Sequence, residues 1–249
     1  VFPMDELVAA AWPAPTVHPI DGWRLRCAGG VTKRANSVLA LAEPSDLEGA
    51  VARAEAFYTG LGLPTVFSIS SQTRPERLDG FLDERGYTLV DPTLAMVRDL
   101  AGADVGVHDG VHEGMHDGVR VADVPSDAWL DLWWSVDGRY GEALPDAAEM
   151  ILTGVPAGYA SLDGVAVGRA VPQGEWLGVY AMAVSPDARR RGLGRRVLRA
   201  LLAWGRAQGC RRAYLVVVER NAAARALYAA EGFAESGGYH YRVKSVTSA

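Results

Sequence analysis

The chain has 249 residues, 49% hydrophobic and 22% charged, with a net charge of −5. That is enough apolar material for one large domain or two modest ones, and too much for a disordered chain. The acidic balance argues against nucleic acid or an anionic membrane surface as a partner, and Cys27 and Cys210 lie too far apart for a zinc knuckle or a disulfide framework.

No apolar run approaches the ~20 residues that a membrane-spanning helix needs. The opening residues VFPMDEL lack the charged start and long apolar core of a secretion signal, so a cytoplasmic protein with buried, reduced thiols is expected.

In chain order, GWRLRCAG (Gly22 to Gly29) and NSVLAL (Asn36 to Leu41) read as strands around a Gly-containing turn. A helix follows, with Ser45 and Glu48 placed as a capping box and Leu47, Val51 and Ala54 at helical spacing. TVFSIS (Thr65 to Ser70) is a strand, PERLDGFLDERGY a second helix ended by Gly86, and LAMVRDL (Leu94 to Leu100) a last strand.

The second half repeats this order. VRVADV is a strand, and a helical region opens at Asp127 and runs irregularly toward Thr153. GYASL and VAVGRAV form a hairpin about Asp163-Gly164. WLGVYAMAV (Trp176 to Val184) and RAYLVVV (Arg212 to Val218) are apolar enough for the middle of a sheet. Between them a helix from Gly194 presents Val197, Leu198, Leu201 and Leu202 on one face, and NAAARALYAAEGF is a helix capped by Asn221 and ended by Gly232.

LEGAVARAEAFYTGLGLPTVFSIS parallels GRRVLRALLAWGRAQGCRRAYLVVV, and FLDERGY parallels LYAAEGF, so the chain reads as a degenerate duplication. The expected division is 1–103, a linker at 104–118, and 119–249. The linker carries His108, His112 and His116 at intervals of four. Gly106, Gly110, Gly114 and Gly118 recur at the same spacing, and each costs a helix about 1 kcal/mol relative to alanine. The segment therefore reads as a solvated spacer, and no metal is expected.

The chemistry concentrates in AVSPDARRRGLGRRVL (Ala183 to Leu198), where a buried strand, a loop with Gly192 and Gly194, and a helix follow one another. Glycine lets the backbone approach a ligand, and a helix N-terminus offers unpaired N–H groups to phosphate. No Gly-Lys-Ser/Thr follows and the third glycine of a dinucleotide fingerprint is absent, so the pattern is a pyrophosphate site of another kind.

With Asn221, Ala224, Leu227, Tyr228, Gly232 and Phe233 in the later helix, the segment resembles the GNAT superfamily of acyl-CoA-dependent N-acyltransferases. Arg189, Gly192 and Gly194 match its R/Q-x-x-G-x-G/A motif. The resemblance is strong over Trp176 to Phe233 and extends to Val119. It implies an α/β (α+β) chain of tandem GNAT-like folds, each a mixed central sheet flanked by helices, splayed at an acetyl-CoA site in the second half.

It further implies that the backbone of Arg190, Arg191, Gly192, Leu193, Gly194 and Arg195 holds the pyrophosphate. The edge of Met182, Ala183 and Val184 holds the pantetheine, Asn221 contacts its arm, and Tyr228 stands by the thioester sulfur to protonate the leaving thiolate. The family's strand glutamate aligns with Gly178. Glu175 is the nearest carboxylate in sequence, with Asp137, Glu142 and a water chain as alternatives for the base.

Leu82 stands where Tyr228 stands in the other half, so the first half is expected to bind no CoA. The expected activity is acetyl transfer from acetyl-CoA to a primary amine, by a monomer or homodimer with no nucleic-acid or membrane partner. The alternative is a non-catalytic acyl-CoA sensor of the same fold.

Overall fold

Three Asp-Gly pairs turn the chain back on itself. Asp21–Gly22, Asp117–Gly118 and Asp163–Gly164 take left-handed backbone at both residues, with φ of 47° and 79°, 51° and 74°, and 49° and 68°. A two-residue hairpin between right-twisted strands requires that geometry.

The computed structural model describes residues 2–100, 115–136 and 145–245. Its elements in chain order are α1 (Met4–Ala11), β1 (Thr16–Ile20), β2 (Trp23–Cys27), β3 (Val38–Leu39), α2 (Leu47–Gly60), β4 (Thr65–Ser70), α3 (Leu78–Glu84) and β5 (Thr88–Asp99). There follow β6 (Met115–His116), β7 (Val119–Ala122), α4 (Asp127–Trp134), α5 (Asp146–Thr153), β8 (Gly158–Leu162), β9 (Ala166–Gln173) and β10 (Trp176–Val184). The last are α6 (Leu193–Ala207), β11 (Arg212–Val218), α7 (Ala222–Ala230) and β12 (Ala234–Lys244). They form two compact units: residues 2–95, 218–221 and 236–245, and the described part of 96–217 with 222–235.

In the first unit β1, β2 and β3 pair antiparallel, β3 lies parallel to β4, and β12 runs antiparallel to β4 from Tyr239 opposite Ser70 to Lys244 opposite Thr65. The expected boundary assigned 236–245 to the second half, but this segment pairs in the first. Side chains explain the placement: Arg242 donates through Nε to Asp79 of α3 at 2.7 Å and also reaches Asp83, and His240 Nε2 lies 2.9 Å from Asp79. The core on one sheet face joins Trp23, Leu25, Val38 and Phe67 to Val51 and Tyr58 of α2 and Leu78 and Leu82 of α3. The N-cap of α2 is Asp46 rather than the expected Ser45, whose hydroxyl goes instead to Asp21 at 3.1 Å.

In the second unit β6 to β10 pair antiparallel in sequence order, and β10 is parallel to β11. Of the expected linker, 104–114 with His108 and His112 lies outside the described residues, whereas His116 pairs with Val119 in a hairpin whose Asp117 is held by Arg196. The helix α6 lies close on the sheet because two glycines let it. A Cβ at Gly205 would fall 2.3 Å from Leu177, and one at Gly168 of β9 would fall 2.8 Å from Val197. On the other side of the hairpins, Trp129 of α4 donates to the Ala160 carbonyl at 2.9 Å and stands edge-on to Tyr159.

Two outcomes follow. Gly205→Ala forces α6 off Leu177 and should destabilise the protein by about 1–3 kcal/mol, the usual cost of overpacking, read as a lowered midpoint in urea. Asp79 is held below the ordinary carboxylate range chiefly by the Arg242 hydrogen bond. Its contribution is therefore present above the unfolded-state pKa of ~3.9 and is lost as pH falls through the lower folded value. Asp79→Asn should be less stable than wild type near neutrality and converge with it in acid; a constant difference across that range would contradict the assignment.

Candidate active site

The parallel ladder of β10 and β11 ends early. Its pairs run from Trp176 opposite Arg212 to Val179 opposite Leu215, while β10 continues to Val184. In the same stretch the register of β10 against β9 shifts between Tyr180 and Ala183, and Ala181 takes a φ of 51°. A bulge of this kind turns the strand and re-aims its edge. Met182, Ala183 and Val184, the expected pantetheine edge, lie past the end of the β11 ladder.

From Val184 the chain passes through a short 3-10 turn, Pro186–Ala188, into the arginine loop. Arg190 has a φ of 61° and Gly192 one of 75°. A left-handed backbone at a residue with a side chain is uncommon, and such residues can turn successive N–H groups toward one point, the geometry of an anion nest. Gly192 is the N-cap of α6 and no side chain caps the helix, so the first-turn N–H groups have no side-chain acceptor.

The arginines divide by task. Arg189 Nε donates to the Val184 carbonyl at 3.2 Å and Arg191 to the Asp187 carbonyl at 2.9 Å, which shape the loop. Arg195 and Arg199 meet the buried carboxylate of Glu231, and Arg196 meets Asp117.

Gly194 is the point at which the elements converge. A Cβ there would lie 3.6 Å from Val184 of β10 and 3.6 Å from Leu227 of α7. Tyr228, next along α7, is buried, with its ring edge-on to Phe233 at 6.1 Å. Burial alone pushes its hydroxyl up to about 12. Asn221 directly precedes α7 and clusters with the first unit, its N–H bonded to the Val218 carbonyl at 2.9 Å.

Candidates for the base fare differently. Glu175 lies at the far end of β10, about 25–30 Å along the strand from Val184, and its exposed carboxylate faces Arg212 at 3.7 Å. Strand length thus removes it from the bulge, and it is set aside as the base. Asp137 and Glu142 lie outside the described residues.

At Gly178 a side chain would meet the Tyr214 hydroxyl at 2.6 Å and the Tyr180 ring at 2.7 Å. The space for a strand carboxylate is filled by phenols. Tyr180 donates to Tyr214 at 2.8 Å, and Tyr214 donates to Gln173 at 2.6 Å. This chain was not singled out in the sequence. The one signal for it was the alternation that puts Gly178 and Tyr180 on the same face of β10, with Gly178 opposite Tyr214 on β11.

Among the described residues no cluster of three or more metal-ligating side chains occurs, and no helix is long and apolar enough to cross a membrane. The family model described as the C-terminal region of Probable histone acetyltransferase Rv0428c matches residues 3–242. The chain is 30% identical over 246 residues to the Uncharacterized N-acetyltransferase YobR of Bacillus subtilis, with 97% of each covered. It is 32% identical over 224 residues to the Probable histone acetyltransferase Rv0428c of Mycobacterium tuberculosis, covering 86% of this chain and 65% of that one.

Among solved structures, a GCN5-related N-acetyltransferase from Kribbella flavida superposes with a TM-score of 0.62 at 15% identity, covering 98% and 96% of the two chains. A tandem GNAT protein from the clavulanic acid biosynthesis pathway superposes at 0.61 and 14%, covering 98% and 88%. A parted parallel strand pair, a glycine-loop helix start and a buried helix tyrosine thus sit in a chain that the family model matches over residues 3–242, and the protein belongs to the GNAT family of acetyltransferases, in the group defined by the C-terminal region of Rv0428c.

Proposed function

We propose that the second unit transfers an acetyl group from acetyl-CoA to a primary amine by direct attack on the thioester. The observation that carries the reading is the convergence at Gly194 of the β10 end, the uncapped α6 terminus and α7. Pyrophosphate sits against the N–H groups from Arg190 to Arg195, where the nest and the helix dipole both favour negative charge. The pantetheine runs along Met182–Val184, which brings the thioester toward Tyr228.

With Gly178 in place of a strand carboxylate, the acceptor ammonium gives its proton to water and attacks as the free amine. Its nitrogen bonds to the carbonyl carbon and loses a second proton to water, backbone N–H groups stabilise the oxyanion, and collapse breaks the C–S bond. Tyr228 keeps its proton at working pH and so acts as a donor to the departing sulfur, never as a base. Full transfer from a hydroxyl near 12 to a thiolate near 8.5 would be uphill by roughly 5 kcal/mol in water. The same dry surroundings that raise the phenol also raise the thiolate's proton affinity and narrow that gap.

Gly194→Asp tests the donor site without unfolding it, because a carboxylate in the first turn favours the helix while it repels pyrophosphate. Calorimetry should show acetyl-CoA binding abolished in this variant and retained in Gly194→Ala, whose methyl meets only ordinary contacts at 3.6 Å. Equal affinity in all three proteins would place the pyrophosphate elsewhere.

Tyr228→Phe keeps the ring against Phe233 and removes only the hydroxyl. With an amine for which chemistry limits turnover, kcat should fall by about 10²-fold, the lower part of the range for losing acid–base assistance, since thiolates leave readily. Acetyl-CoA affinity should stay the same; an unchanged kcat would reduce Tyr228 to packing.

A further inference from the structure

One buried carboxylate in the second unit lies outside the acetyl-transfer steps. The Glu231 side chain is 5% exposed. Arg199 grips it with both arms of the guanidinium, Nε to Oε2 at 2.8 Å and Nη2 to Oε1 at 3.0 Å, and Arg195 adds a contact at 3.0 Å. The Glu231 backbone carbonyl accepts from Arg98, whose guanidinium also lies over the Phe233 ring. A carboxylate drawn from water is costly unless it is paired and hydrogen-bonded in this way, and the two-armed contact fixes orientation as well as distance.

Its placement gives the pairing a direction. Arg195 is in the first turn of α6, the end that holds the pyrophosphate, and Glu231 closes the last turn of α7, three residues beyond Tyr228. The N–H groups of Glu231 and Phe233 both bond to the Tyr228 carbonyl, at 3.1 and 3.0 Å. The tyrosine therefore sits in the turn that the clamp anchors.

The duplication supplies a second observation. Gly62 and Gly209 end α2 and α6, and Gly86 and Gly232 end α3 and α7, all four with left-handed backbone. Counting back from these glycines aligns Glu48 with Arg195, Ala52 with Arg199 and Arg85 with Glu231. In the first unit Arg85 and Glu48 also form an ion pair, at 3.6 Å, with the signs of the charges exchanged. Glu48 there is 78% exposed. The half that carries the tyrosine has the buried, two-armed version.

We infer that Glu231 is a positioning residue: by tying the last turn of α7 to the phosphate-binding end of α6, it sets the Tyr228 hydroxyl relative to the bound donor. The inference rests on the reading of Tyr228 as the proton donor. Small displacements of a reacting group cost large factors in rate.

Glu231→Gln should lower kcat by about tenfold or more while the acetyl-CoA dissociation constant moves little. The same substitution should have no further effect on kcat in a Tyr228→Phe background. A purely structural role would lower kcat by the same factor in both backgrounds, and that result overturns the inference. Amide hydrogen exchange of the full chain reads the clamp without activity: Glu231→Gln should speed exchange along residues 222–233 and leave the rest of α6 unaltered. Unchanged exchange there overturns the clamp whatever Tyr228 does, whereas a silent Tyr228→Phe overturns the donor reading and the catalytic half of this one.

A charge-exchanged variant, Arg195→Glu with Arg199→Ala and Glu231→Arg, reproduces the set of the first unit. It should restore slow exchange relative to Glu231→Arg alone and weaken acetyl-CoA binding, because it sets a carboxylate beside the pyrophosphate. Failure to restore slow exchange would also count against the clamp.

Discussion

The parting of β10 from β11 is the constraint on which the rest of the site depends. Two parallel strands inside a sheet normally bond along their whole length, because an unmet backbone group away from water costs more than the bond contributes. Here the ladder stops at Val179 and Leu215, and the strand that runs on carries the bulge at Ala181. An extended ligand with amide groups can satisfy that edge as a further strand would. The loop and α6 follow directly, so the anion nest lies one short turn from the edge. In the proposed reading, the pyrophosphate and pantetheine sites are thereby held in register by the chain itself.

The same parting explains which side of β10 is closed. Tyr180 and Tyr214 approach across Gly178 and share a hydrogen bond that ends on Gln173. Beneath them Arg169, paired with Tyr180 and Tyr159 across the sheet, is fully buried, and burial lowers its affinity for its proton. A carboxylate at Gly178 would have to displace both phenols. The position is given to packing, which in the proposed mechanism leaves the base chemistry to solvent.

Much of this was legible in the sequence where the signal is local. Trp176–Val184 and Arg212–Val218 are bounded by turns and apolar throughout, and the structure places both strands at those residues. The elements that were missed depend on distant partners. FAESGGYHYRVK contains two glycines and alternating charges and reads as no buried strand, yet its tyrosines and Arg242 find partners on β4 and α3. Met4–Ala11 is too short to announce itself, and it docks through residues such as Asp5, which bonds to Ser70, sixty-five positions away. Glu175 was chosen for its nearness in sequence to the aligned position. In a strand, nearness in sequence is distance along an axis, and three residues sufficed to misplace it.

The first unit departs from the second at the start of its longer helix. Its strand NSVLAL leads into Ala42–Asp46, which has no glycine to supply a left-handed turn. The N-cap of α2 is Asp46 and its first turn carries Glu48, so two carboxylates stand where the aligned residues of α6 are Leu193 and Arg195. A helix welcomes acids at that end as readily as it welcomes phosphate. Negative charge at that terminus favours the helix and would repel a phosphate. Arg85, just past the end of α3, meets Glu48 at 3.6 Å. The exchange of sign across the helix pair thus has one physical cause, the charge that each half places at the start of its longer helix, and the same charge accords with the expectation that the first half binds no CoA.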